Sequence, residues 1–368
     1  MSYTDDHIAL LALHLTTGIG SVLTRALVSY LGSPSAVFSA DKRQLMALPG
    51  FSEYRCQQVL KRTNLKKAEK ILTKLQSSSV GISSYLDRQY PQRLKNHMDS
   101  PLFLFHRLSV DLNQLKTVGI VGTRMPTEYG RMMCQSLVRD LKPYDPLIVS
   151  GLAYGIDGAA HNAAVQNNLP TVAVLGSGID RLYPEDHVPL VEKMLENGGV
   201  LSEFLPGTAP DRENFPRRNR IIAALSDVLI VVQSAAKGGS MITAEYANNY
   251  SKDVFAVPGK LTDEMSKGCH LLIKSHKAHL LESVKDIAYI MRWDKKYVQS
   301  ALAFENTLSE MEKKVLNTIR QQPDCGVDRL VLELGLPLPQ TAAILLNLEI
   351  RGLINSLPGK KYILAQNL

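Results

Sequence analysis

The 368-residue sequence is poor in aromatic side chains, at 6% with one tryptophan, and holds only four cysteines. Cys56, Cys134, Cys269 and Cys325 stand far apart, with no Cys-x-x-Cys pair and no clustered histidines. That spacing suggests neither a zinc site nor a disulfide framework and leaves buried, idle thiols. No apolar run approaches the roughly 20 residues a membrane helix needs, and Met1 to His7 lack the cationic and apolar halves of a secretion signal. The expectation is a soluble cytoplasmic protein that engages no membrane.

A strong charge of one sign is missing too. The formal net charge is +7 and unevenly spread. Residues 1–80 carry 10 Lys/Arg against 5 Asp/Glu, residues 81–310 carry 25 against 25, and residues 311–368 carry 7 against 5. An anion site in the neutral middle must therefore be local. The length exceeds what one hydrophobic core usually organises, so two or three domains are expected.

The first eighty residues are helical in pattern and contain two similar punctuations, Thr17 to Ser21 and Leu48 to Ser52, each preceding an amphipathic stretch. Two readings stay open: paired helix-hairpin-helix units whose turn N–H groups meet a phosphate, or plain packing in a small bundle. The lysines between Lys61 and Lys70 read as a solvated helix face, and Ser77 to Ser79 as a boundary. Val80–Tyr85 and Pro101–His106 extend a sheet edge.

From Thr117 strands alternate with helices, the signature of a parallel sheet covered on both faces. Strands are expected at 117–121, 147–150, 171–175, 200–204, 228–232 and 254–257. Helices are expected at 128–141, 156–166, 188–196, 219–225, 240–250 and 269–275. Residues 291–310 read as a linker. Helices at 311–320, 327–334 and 339–351 and a hairpin at 357–364 then read as a winged helix. Arg351 is the only basic residue of its third helix, which leaves a protein-contact or structural role open beside a DNA role.

The expected fold class is thus α/β. A helical, helix-hairpin-helix or SAM-like domain at 1–79 precedes a Rossmann-like, doubly wound parallel sheet at 80–290, a linker at 291–310 and a winged helix at 311–368.

In open parallel sheets ligands bind beyond the carboxyl ends of the strands. There the sequence places Gly119 to Arg124, Ser150 to Asp157, Gly176 to Pro184, Phe215 to Ile222 and Ala236 to Thr243. Glycines let backbone approach an anion, helix N-termini offer N–H groups, and arginines supply forked donors, which together make a phosphate cradle. The glycine spacing does not meet the dinucleotide fingerprint, so no nicotinamide or flavin cofactor is expected. Arg217, Arg218 and Arg220 at a helix start oppose the helix dipole, and a bound anion or the nearby Asp211 and Glu213 must offset them. His161 and Tyr154 read as packing residues, since no nucleophile stands at a recognisable spacing.

These blocks, from Ile120 to Arg124 through Phe215 to Ile222 and on to Phe255–Gly259, resemble those of the DprA/Smf family across most of residues 80–285. The resemblance implies a homodimer without established catalysis that binds single-stranded DNA in a basic pocket and loads RecA onto it during natural transformation. By position, Arg124, Arg217 and Arg220 correspond to its pocket arginines. The full expected DNA-binding set is Gly122, Thr123, Arg124, Ser150, Gly151, Arg217, Arg218, Asn219, Arg220, Lys237, Gly238, Gly239 and Ser240. Three departures stand out: Gln233 where the family has an acid, Gly239 in place of its Ser-Gly-Ser pattern, and His270 in place of asparagine. With few aromatics, phosphate capture should outweigh base stacking, with Tyr183 or Phe215 left to touch a base.

The enzymatic alternative is a nucleoside-monophosphate phosphoribohydrolase, because Gly238 to Glu245 also resembles the glycine-rich loop of LOG proteins. It makes Glu245 the reacting carboxylate.

Overall fold

The computed structural model describes residues 3–76, 78–113, 116–293, 308–321, 325–351, 353–357 and 361–364. Most of the expected linker, and the hairpin tip at 358–360, lie outside these residues. The chain divides into two compact units, Met1–Ile287 and Ala288–Leu368.

The first unit opens with helices α1 Asp5–His14, α2 Ser21–Leu31, α3 Pro34–Ser39, α4 Lys42–Met46, α5 Glu53–Leu60 and α6 Thr63–Gln76, and a single turn, α7 Gln92–Lys95, follows. Their starts follow the sequence: Ser33, Asp41 and Ser52 each accept a backbone N–H of the helix they precede. Both glycine punctuations are left-handed turns, with Gly18 at φ 81° and Gly50 at φ 76°. Arg55 ties them together, donating from Nε to the Gly18 carbonyl at 3.0 Å and from Nη1 to that of Gly50 at 3.1 Å.

The sheet comprises β1 Gly81–Ser84, β2 Phe103–Leu108, β3 Thr117–Val121, β4 Leu147–Ser150, β5 Thr171–Leu175, β6 Gly198–Ser202, β7 Val228–Val231, β8 Asp253–Ala256 and β9 His279–Leu280. Its order is β1-β2-β6-β5-β4-β3-β7-β8-β9. β3 to β9 run parallel, while β2 joins β6 and β1 joins β2 antiparallel. After the two edge strands β1 and β2, the chain forms β3 in the middle, winds outward to β6, then returns to β7 on the other side of β3. Loops after β3 and β7 therefore leave in opposite directions, which opens a crevice between them.

The strands are apolar throughout because both faces are covered. Along β5, Val172 and Val174 join the core beneath α11 (Asn214–Leu225) and α12 (Gly239–Asn249), while Ala173 and Leu175 join that beneath α10 (Val188–Met194). The second of these cores also contains Leu10, Leu13, Leu27 and Leu72 of the N-terminal helices and Phe103 and Phe105 of β2. Helices α8 Glu128–Leu141, α9 Ile156–Gln166 and α13 Lys267–Lys274 lie where the apolar pattern places them, within two residues.

One helix departs from expectation. α11 begins at Asn214, five residues before the predicted start at 219. Pro216 falls in the first turn of this helix, where the missing N–H of a proline is not needed. The arginines consequently sit inside the helix, on two of its faces.

The second unit contains a helix Glu310–Gln321, a short strand Cys325–Gly326, helices Val327–Leu334 and Leu338–Ile350, and strands Ile354–Leu357 and Lys361–Leu364. Val315, Leu316, Ile319, Leu330, Leu345 and Leu348 form its core. No single helix among the described residues is long and apolar enough to cross a membrane.

Candidate functional site

The crevice at the switch between β3 and β7 encloses about 320 Å³. Gly122, Thr123 and Arg124 after β3 form one wall, and Gly238, Gly239 and Ser240 at the start of α12 form the opposite one. Phe215, Arg218, Asn219 and Ile222 form the floor, and their i, i+3, i+4, i+7 spacing is one face of α11. Asn219 Nδ2 reaches the Gly239 carbonyl at 3.4 Å, linking floor to wall.

Three features suit an anion. The N-cap of α12 is Gly238, which supplies no side-chain acceptor to the first N–H groups, and a Cβ on Gly239 would meet open space. Arg124 lines the pocket with its guanidinium 5.2 Å above the Phe215 ring. Arg212, on the loop before α11, joins it. Sequence reasoning missed Arg212, because it lies outside the glycine-rich blocks; its signal was the Pro210-Asp211-Arg212 turn beside the Phe-Pro-Arg-Arg segment.

Arg218 is buried and donates to the Val174 carbonyl. It faces Asp157 across Gly151, where an added Cβ would displace the ends of both side chains. Burial pushes the Asp157 carboxyl up, and the Arg218 guanidinium opposes that shift. Gly155, with φ 84°, turns the chain into α9 tightly against the Thr123 carbonyl.

The remaining predicted residues separate into three groups. Ser150 is buried and donates to the Ile120 carbonyl at 2.5 Å, and Gly151 lies beneath Arg218, so both shape the crevice from behind. Lys237 is exposed and is not a lining residue of the crevice. Arg217 and Arg220 project from the other face of α11 into a separate cleft beside Gly20, Ser21 and Glu203. Arg220 pairs with Glu203, and both side chains are largely buried, at 13% and 8% exposure. The acid that pairs with these arginines is therefore Glu203, and the charge nearest Arg218 is Asp157, both distant in sequence, where proximity alone had suggested Asp211 and Glu213.

His161 is fully buried and ties two strand ends together, with Nε2 2.6 Å from the Gly151 carbonyl and Nδ1 2.7 Å from Thr171 Oγ1. A carbonyl only accepts, so the Nε2–H tautomer fits. Tyr154 donates to Asp186 at 2.8 Å. Glu245 pairs with Lys277 at 2.8 Å and does not line the crevice.

Gln233 is buried, and its backbone carbonyl accepts from the Thr123 N–H at 2.7 Å. Its Oε1 accepts from the Thr127 N–H at 3.0 Å and its Nε2 donates to Asp263 at 2.9 Å. A carboxylate there cannot donate to Asp263. Gln233→Glu is expected to cost about 1–3 kcal/mol and to loosen the 258–266 loop, read as a lower urea midpoint and faster amide exchange in that loop. Unchanged exchange would show that the loop is held elsewhere. His270 donates from Nε2 to the Gly259 carbonyl at 3.1 Å, closing the same loop.

Fold and site together define a Rossmann-like protein with a cation-lined crevice at its strand switch point and an appended winged helix. The chain belongs to the DNA recombination-mediator protein A family, whose profile matches residues 81–292; the DprA winged helix domain matches residues 300–360. Protein Smf of Synechocystis sp. is 30% identical over 380 residues, covering 94% of this chain and 95% of the relative. The DNA processing protein DprA of Streptococcus pneumoniae is 41% identical over 204 residues, covering 55% and 72%. The X-ray structure of DprA from Streptococcus pneumoniae superposes with TM-score 0.67 at 32% identity, over 78% of this chain and 98% of that one. A Helicobacter pylori DNA processing protein A, solved for its unique single-stranded DNA binding mode, superposes with TM-score 0.52 at 29% identity, over 57% and 95%.

Proposed function

We propose that this protein binds single-stranded DNA in the crevice and loads RecA onto it during natural transformation, as a cytoplasmic homodimer acting by binding and hand-off rather than by turnover. The observation that carries the reading is the pairing of the uncapped α12 N-terminus with Arg124 and Arg212 across one crevice. The single-stranded DNA binding of the Helicobacter pylori relative supports it. Phosphates meet N–H groups and guanidinium forks, while Phe215, tilted against Tyr183 with ring centroids 6.1 Å apart, offers an aromatic surface to a base. A crevice of this size admits a nucleotide of a flexible strand and excludes a duplex. Within this reading the parts are the helical region 1–79, the DNA-binding domain 80–290, the linker 291–310 and the winged helix 311–368.

The test is a salt series with fluorescent oligonucleotides, single and double stranded, on the wild type and on Arg124→Ala/Arg212→Ala. Single strands are expected to bind preferentially. The variant should bind more weakly, and its logarithmic salt slope should be shallower by about 1.4, at ~0.7 per phosphate. Equal affinity for duplex, or an unchanged slope in the variant, would remove the crevice as the site.

A further inference from the structure

On the far side of α11 from the crevice lies a second cleft of about 220 Å³, between the N-terminal helices and the sheet. Gly20 and Ser21, at the start of the 11-residue α2, form one wall. Gly20 caps that helix without a side-chain acceptor, so the first-turn N–H groups are available at the cleft. Arg217 forms the opposite wall, its guanidinium 5.4 Å from the centre of the Phe204 ring. Glu203 also lines the cleft and is nine-tenths buried. One of its oxygens, Oε2, accepts from Arg220, and the other, Oε1, has no hydrogen-bond partner among the described residues.

We propose that this cleft is a second nucleotide subsite for the strand held in the crevice, with a phosphodiester at the α2 N-terminus and Arg217 and a base N–H on Glu203. The inference rests on the crevice reading. Two observations fix the ligand class. A helix N-terminus facing an arginine calls for an anion, whereas a buried carboxylate with an unpartnered oxygen repels a bare anion and calls for a donor. A nucleotide carries both, which free phosphate does not. The crevice and the cleft flank a single helix about 10 Å across, so one continuous strand reaches both.

The experiment uses the full chain and oligothymidylate long enough to pass α11. A Cβ at Gly20 meets nothing within 4 Å, and Asp and Asn are both good N-caps, so Gly20→Asp and Gly20→Asn both keep the helix capped and differ in charge. Gly20→Asp is expected to bind about fivefold more weakly than Gly20→Asn, with a salt slope lower by about 0.7. On an abasic strand of equal length the wild type loses the Glu203 contact, so its advantage over Gly20→Asp shrinks. Arg124→Ala is measured alongside. If Gly20→Asp and Gly20→Asn bind alike while Arg124→Ala binds weakly, the cleft is overturned and the crevice stands. If neither substitution weakens binding, the crevice reading falls and the cleft with it. An undiminished advantage on the abasic strand overturns the nucleotide assignment.

Discussion

Arg220→Ala is expected to lower the unfolding free energy by about 3–5 kcal/mol, the cost of leaving one member of a buried ion pair alone. Glu203 is the member left behind. It is 8% exposed, and one of its oxygens already has no partner among the described residues. Removing Arg220 takes away the bond to the other, and desolvation then pushes the carboxyl, already raised by burial, further toward the neutral form. Replacing both members by apolar side chains, Arg220→Met with Glu203→Leu, is expected to recover most of the loss, because neither charge then needs a partner. Urea unfolding of the three proteins decides it. A single-variant loss below about 1 kcal/mol would mean that solvent screens the pair. For DNA binding, an affinity lost in Arg220→Ala cannot be assigned to a missing phosphate contact while the fold is weakened. Arg124 and Arg212, which line the crevice, are the cleaner probes.

Acid is expected to destabilise the first unit through His161. Burial holds its imidazole at a pKa of about 4, against 6.5 for the free side chain. Between those values the unfolded chain binds the proton and the folded one does not, so stability is full above pH 6.5 and falls as the pH drops toward 4. The integrated loss is roughly 3 kcal/mol, at about 1.36 kcal/mol per unit. The ring also connects the Gly151 carbonyl to Thr171, so protonation would add a proton at Nδ1, where the neutral ring accepts from the Thr171 hydroxyl. His161→Gln is expected to flatten the pH dependence in this window while the carboxylates titrate as before. Parallel wild-type and variant curves from pH 7 to pH 4 would show that another group sets the acid limit.

Much of the fold was legible because its signals are local. The apolar strands from β3 to β8, the glycines that follow them and the capped helices are each written within a few residues. Of the five glycine-bearing or arginine-bearing blocks at strand ends, four, after β3, after β4, along α11 and at the start of α12, meet in the crevice. The start of α11 was set five residues late, and the structure places Pro216 in its first turn.

The sequence alone determined the family, the α/β class and most of the glycines that line the crevice, with Arg124 and Arg218 among its arginines. The sheet order brought the loops after β3 and β7 together, although more than a hundred residues separate them. Helical phase then decided the arginines: adjacent in sequence, Arg217 and Arg218 are about 100° apart around α11, so Arg218 enters the crevice and Arg217 the second cleft. Packing set Glu203 against Arg220 and placed Asp157 near Arg218. None of these follows from a string of residues, because direction around a helix and adjacency across a sheet exist only once the chain has packed.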